Sequence, residues 1–136
     1  MGILAKLEID YDLDIVEEFI SHFSFMCESL ETLIINLEKE EYYSENIQEL
    51  FRIFHNIKSA SGFLNLEVMV KLATLTEEVL EEARLLEGPA TAEFVDWLLK
   101  VSDQLELYRQ NLENDSEEFS AFNSEIMMIP TKLEKS

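Results

Sequence analysis

His55 and the residues three to seven places after it are the part of this chain best suited to chemistry. Lys58 follows at i+3, Ser59 at i+4 and Gly62 at i+7, with Ala60 and Ser61 between them. On a helix, that spacing puts an ammonium one turn from the imidazole and a missing side chain two turns along the same face. Glycine inside a helix costs about 1 kcal/mol relative to alanine, so a mid-helix glycine points to clearance or close approach. The arrangement suits passage of a phosphoryl group between a histidine and a carboxylate on a partner. A neutral imidazole is nucleophilic near physiological pH. One ring nitrogen attacks, the other keeps its proton against an acceptor, and a cation such as Lys58 steadies the transferred charge.

The remaining candidates carry less. His22 falls beside Glu18 and Ser29 on the outer side of its helix and reads as a solvated surface histidine. Cys27 is the single cysteine, so no internal disulfide forms, and no Cys/His spacing fits a metal site. There is no Gly-rich nucleotide loop. No metal and no cofactor are expected on this chain.

The site needs elements to hold it, and the pattern is helical almost throughout. A first helix is predicted from about Asp14 to about Lys39, with Val16, Phe19, Ile20, Phe23, Met26, Cys27, Leu30, Leu33, Ile34 and Leu37 at three-four spacing. Asp14 and Glu17 fit a capping box. A second helix is predicted from near Ser44, with Ile47, Leu50, Phe54, Ile57, Ser61 and Leu64 inward. Asn65 suits a left-handed helix end. A third helix follows through Leu72, Thr76 and Leu80 to Gly88-Pro89. Thr91 caps a fourth, which Asn114-Asp115-Ser116 ends. Phe119, Phe122 and Ile126 mark a short fifth helix before Pro130.

The expected class is all-α: an antiparallel four-helix up-down bundle over residues 1–113, with a C-terminal extension over 114–136 that holds the short fifth helix. The chain has 136 residues, which suits one domain, and 47% of them are hydrophobic, enough for a core. Ten basic and 29 acidic residues give a net charge of −19. That charge repels nucleic acid and anionic lipid, so neither is an expected partner. No apolar run is long enough to span a bilayer and the N-terminus lacks signal-peptide character. A cytoplasmic monomer is expected.

Helix geometry also suggests an acceptor for the second imidazole nitrogen. His55 lies ten residues before Asn65, about 15 Å along the axis. A helix returning antiparallel reaches the same level over Thr74 to Glu77. Glu77, beside inward Thr76, sits at the stripe edge. By geometry alone it is either that acceptor or one more solvated glutamate in a helix that also carries Glu78, Glu81 and Glu82.

The run His55-Asn56-Ile57-Lys58-Ser59-Ala60-Ser61-Gly62-Phe63-Leu64-Asn65-Leu66 resembles the signature of histidine-containing phosphotransfer (HPt) domains. The similarity extends upstream through Leu50-Phe51-Arg52-Ile53-Phe54 and downstream from Leu75 to Arg84. Gly62, Glu77 and Ala83-Arg84 are most similar to the N-terminal phosphotransfer domain of chemotaxis histidine kinases. The resemblance covers about Asp12 to Leu112. Three positions depart from it: Ser59 and Asn65 replace usual glycines, and Thr74 stands where chemotaxis-type domains often have a second histidine. The resemblance implies that His55 is phosphorylated, that Lys58 assists transfer, that Glu77 orients the imidazole and that Gly62 keeps the surface open. Phe51, Ser59, Gly62 and Phe63 would form the partner surface. The implied partners are a response-regulator receiver domain, which brings the acceptor aspartate and the Mg²⁺, and a histidine kinase.

Three functions follow as expectations. The first is a phosphocarrier module of a two-component phosphorelay, either separate or as the phosphoacceptor part of a larger chemotaxis-type kinase. The second is a helical adaptor without transfer. The third, an independent enzyme, lacks any nucleotide or metal motif to support it.

Overall fold

A computed structural model describes residues 1–135. It contains five α-helices: α1 (Ile3–Asp10), α2 (Leu13–Asn36), α3 (Glu40–Phe63), α4 (Glu67–Ala83) and α5 (Ala92–Glu113). A short 3-10 turn follows at Ser124–Met127. Among the described residues there is no strand, only an isolated bridge between Ala90 and Glu134. The bundle closes on itself: α2 packs on α3 and α5, and α4 packs on the same two helices. No helix of the described residues is long and apolar enough to cross a membrane.

The helices form where their apolar stripes can meet. Phe23, Leu30 and Ile34 of α2, Leu50, Phe54 and Ile57 of α3, Met69, Leu72 and Leu80 of α4, and Phe94, Leu98, Val101 and Leu105 of α5 are all buried in one core. Burying a side chain such as Phe54 contributes about 1.5–3 kcal/mol. Ile20, Cys27 and Leu33 of the expected α2 stripe are only half-buried and pack against the core's edge. Ser61 on α3 and Ala73, Thr76 and Ala83 on α4 are small and buried. They let these two helices approach closely, and the Thr76 hydroxyl is satisfied by donating to the Leu72 carbonyl at 2.8 Å.

Several boundaries differ from the sequence reading. The helix α1 was not expected. Its stripe is weak, with Leu7 its only buried helical residue, and its ordering comes from far along the chain. Ile3 N donates to the Ser116 carbonyl and Ala5 N to the Asp115 carboxylate. Helix α2 begins at Leu13, two residues after Tyr11, with the Asp12 carbonyl taking the first helical bonds from Ile15 and Val16. The Asp14–Glu17 capping box therefore does not form. Helix α3 starts at Glu40, not Ser44: Glu40 and Glu41 supply acid to its first turn, where it favours the helix dipole.

Helix α2 stops at Asn36, short of Lys39, and α4 at Ala83, short of Gly88-Pro89, whereas two termini lie where the sequence marks them. The Thr91 hydroxyl accepts from Phe94 N at 3.1 Å and caps α5. Asn65 adopts φ 58°. Leu66 N donates to the Ser61 carbonyl and Asn65 N to the Gly62 carbonyl, the paired bonds that close a helix on a left-handed residue.

The C-terminal segment is a strap, not a helix. Only Ser124–Met127 turns, as a 3-10 element. Besides the bonds of that turn, from Ile126 N to the Asn123 carbonyl and from Met128 N to the Glu125 carbonyl, its backbone is held by α5 side chains. The Trp97 indole donates to the Ile126 carbonyl at 2.8 Å, and the Gln104 amide bonds Ala121 O and Asn123 N. Ile126 is buried, whereas Met127, Met128 and Ile129 are exposed.

Candidate functional site

The helix α3 carries His55, Lys58, Ser59 and Gly62 on its outer side because Phe54, Ile57 and Ser61 face the core. The Asn65 turn then brings α4 back beside it. This places Glu77 against His55, with Nδ1 of the imidazole 3.2 Å from one carboxylate oxygen, Oε1. Lys58 Nζ lies 2.8 Å from the other, Oε2. Two groups of α3 thus share one carboxylate of α4, that of Glu77. Its side chain is only 14% exposed, while the imidazole is 54% exposed.

Burial pulls the Glu77 carboxyl upward, yet hydrogen bonds and charge from Lys58 and His55 outweigh it and hold the group below its ordinary value. Glu77 is therefore ionised at neutral pH. An ionised carboxylate only accepts, so Nδ1 of neutral His55 carries the hydrogen and donates it. The lone pair of Nε2 is left on the open side of the ring. That is the protonation pattern a nucleophilic imidazole needs.

Around the imidazole the surface is low. Ser59 is exposed, and Gly62 is exposed with nothing within 4 Å of where a Cβ would stand. The fold itself does not require glycine there. Phe63 is 62% exposed and its ring lies 5.9 Å from that of Tyr11. Tyr11 also receives a hydrogen bond from the Asn65 amide at 2.7 Å. Phe51, one turn before His55, lies nearly parallel to the imidazole, with centroids 6.4 Å apart and planes at 14°.

The residues singled out in the sequence thus fall on one face of α3 and the adjoining edge of α4. His22 stands apart from that group. It is exposed on α2 and lines a shallow groove with Phe19, Ala60 and Phe63. Thr74 is half-buried.

Two contributors were given no role at the site from sequence, although Arg84 was among the residues that carried the family resemblance. One is Tyr11, hidden because α1 was not expected. The other is Arg84, whose guanidinium lies 4.1 Å from the centre of the Phe51 ring. Arg84 stands seven residues after Glu77, hence on the same side of α4 two turns on, and that spacing was the available signal. Among the described residues, no group of three or more His, Cys, Asp or Glu side chains is placed to hold a metal ion. Cys27 is not a reactive thiol: burial, aided by Glu106, pushes its pKa up to about 12.

The comparisons with known proteins point to a family. The family described as Hpt domain matches residues 14–119. The chain is 32% identical over 90 residues to the sensor histidine kinase CheAY of Helicobacter pylori, a match that covers 66% of this chain and 11% of that kinase. It is 24% identical over 110 residues to the chemotaxis protein CheA of Salmonella typhimurium, covering 78% of this chain and 16% of that protein. The chain therefore spans about a tenth to a sixth of the length of the curated relatives it matches. No solved structure matches. A helical bundle, a histidine presented on its surface and a family match over most of its length lead to one conclusion: this chain belongs to the Hpt domain family, the histidine phosphotransfer modules of two-component phosphorelays.

Proposed function

We propose that His55 is the residue that accepts and donates the phosphoryl group, in exchange with the aspartate of a response-regulator receiver domain. The observation that carries this reading is the exposed imidazole whose Nδ1 is engaged by Glu77 and whose Nε2 is open. Nε2 attacks the phosphorus of an aspartyl phosphate. The N–P bond forms as the acyl P–O bond breaks, and the aspartate leaves as a carboxylate. Nδ1 keeps its hydrogen, so the ring gains positive charge, and Glu77 faces that charge. Lys58 supplies the cation nearest the incoming phosphoryl oxygens. The Mg²⁺ of the reaction belongs to the receiver, and this chain carries no cofactor and no ATP site of its own.

The partner docks over Ser59, Gly62 and Phe63, with Phe51 at the margin. The bundle is read as antiparallel over α2–α5. Support comes from α3 and α4: Tyr43 near the start of α3 bonds Ala83 at the end of α4, while His55 meets Glu77 further along. Residues 1–113 form the phosphotransfer unit and 114–136 a C-terminal extension, whose described part, to residue 135, is the strap. A second form of the same reading is the phosphoacceptor part of a larger chemotaxis-type histidine kinase. It is favoured by the far greater length of both curated relatives.

The test is phosphoryl transfer from a receiver domain charged with acetyl phosphate. One acid-labile label is expected on the wild-type chain and none on His55→Gln. A label that survives His55→Gln would end the proposal in favour of another acceptor, and no label on the wild type would favour the adaptor reading. Lys58→Ala is expected to slow transfer by roughly tenfold or more, with melting little changed.

A further inference from the structure

We propose that Arg84 is a positioning residue for His55, acting through the ring of Phe51. The inference rests on the reading of His55 as the phosphoryl acceptor. It concerns how an imidazole that is more than half exposed is held in one orientation.

A single hydrogen bond to Glu77 fixes one edge of the imidazole and leaves the plane of the ring free to swing about that bond. A second constraint is needed, and the structure supplies one on the ring's face. Phe51 stands four residues before His55 on α3, hence on the same side one turn away. The planes of the two rings differ by only 14°. The imidazole therefore lies along a flat aromatic wall, an offset parallel arrangement that aromatic rings favour.

The wall is half-buried and packs against the edge of the core, which leaves part of the ring open. Arg84 at the end of α4 covers that part. Its guanidinium sits 4.1 Å from the Phe51 ring centre, well within cation–π range. The guanidinium is fixed in turn from both helices. Its Nε donates to Gln48 Oε1 on α3 at 3.1 Å, and Nη1 lies 3.8 Å from the Glu81 carboxylate on α4. Arginine suits this task because its planar head can stack on a ring while its N–H groups point outward to acceptors.

The imidazole is thus held by two links that each cross from α3 to α4. Glu77 grips its edge, and Arg84 presses the wall against which its face rests. With both in place, Nδ1 meets the carboxylate and Nε2 faces outward. Without the second, the ring can turn over and present the wrong nitrogen, or none, to the phosphorus. Arg84 touches no reacting atom in this scheme.

The experiment is ¹⁵N NMR of the imidazole in the full chain at a pH where His55 is neutral, alongside transfer rate and melting temperature. The variants are Arg84→Met, which keeps the stem and removes the charge, and Phe51→Leu and Phe51→Tyr. Arg84→Met is expected to raise the fraction of imidazole with hydrogen on Nε2 and to slow phosphoryl uptake about threefold to fivefold, with melting unchanged. Phe51→Leu should move both readouts in the same direction and further. Phe51→Tyr, which keeps a flat ring, should restore them. A wild-type tautomer ratio in both Arg84→Met and Phe51→Leu overturns the proposal. So does a Phe51→Tyr protein as impaired as Phe51→Leu. The tautomer measurement needs no phosphoryl donor, so it decides the role of Arg84 even if His55→Gln proves still to be labelled.

Discussion

Two glycines mark two regions of this molecule that are built on opposite terms. Gly88 lies in the corner between α4 and α5, with φ +77°. A Cβ there would fall 2.3 Å from Cγ of the buried Tyr43 ring, whose hydroxyl is anchored on the Ala83 carbonyl. The Glu134 carboxylate closes the corner by accepting from Glu87 N and Gly88 N. Gly62 lies on the His55 face, where a Cβ would meet nothing. Each region also has a carboxylate and an aromatic ring: Glu134 and Tyr43 in the corner, Glu77 and Phe51 beside His55. In the corner, both are satisfied by backbone groups. Beside His55, they prepare a group that remains open. The comparison shows that the same residue type is kept at one place by the space inside the fold and at the other by the space outside it.

The largest test of that contrast is Gly88→Ala. Left-handed backbone and overlap with a buried ring together should cost about 3 kcal/mol, read as a lower midpoint in urea. Transfer per folded molecule should be unaffected. If stability instead held while transfer fell, the corner would not be the purely structural region described. A smaller, opposite effect is expected at Gly62. Gly62→Ala should raise stability by about 0.5 kcal/mol, because alanine is the better helix former. Gly62→Leu should leave the fold intact but place a clash against a docked partner, slowing transfer from a receiver roughly tenfold. Normal transfer with a leucine at 62 would show that the cleared surface is not the docking surface.

The smallest effect is confined to acid. The folded pKa of Glu77 lies below its unfolded value, so ionised Glu77 adds stability above the ordinary carboxylate range, about 4.3. That contribution is lost as pH falls through the lower folded value. Glu77→Gln should flatten this part of the pH–stability curve. A wild-type and a Gln variant with parallel curves below about pH 5 would contradict the ion-paired environment that distinguishes Glu77.

How much of this was legible in the sequence depended on how local each cause was. Lys58, Ser59 and Gly62 could be aligned with His55 because one helix carries all four. Glu77 could be brought opposite because only one short turn, at Asn65, separates the two helices and a left-handed residue marks it. Glu77 still had a competing reading as a solvated glutamate, since charge and stripe position alone do not distinguish it from Glu78. The start of α3 at Glu40 was obscured by Ser44, a good cap in type but an exposed mid-helix residue in fact. The N-terminal helix was illegible for a different reason. Ile3 and Ala5 are fixed by Ser116 and Asp115, partners more than a hundred residues away. The strap was misread as helix because Phe119, Phe122 and Ile126 have helical spacing. The groups that keep it extended, Trp97 and Gln104, act from α5.

Trp97 gives the strap an optical handle. It is the chain's single tryptophan, is 3% exposed, and spends its indole hydrogen on the strap's own backbone at Ile126. Its emission therefore reports on whether the last segment is seated, whereas far-ultraviolet dichroism is dominated by the five helices. A protein in which the strap has peeled away while the bundle stands would shift its fluorescence to the red and keep its helical spectrum. The chain thus carries a native probe for one particular form of partial opening, without any added dye.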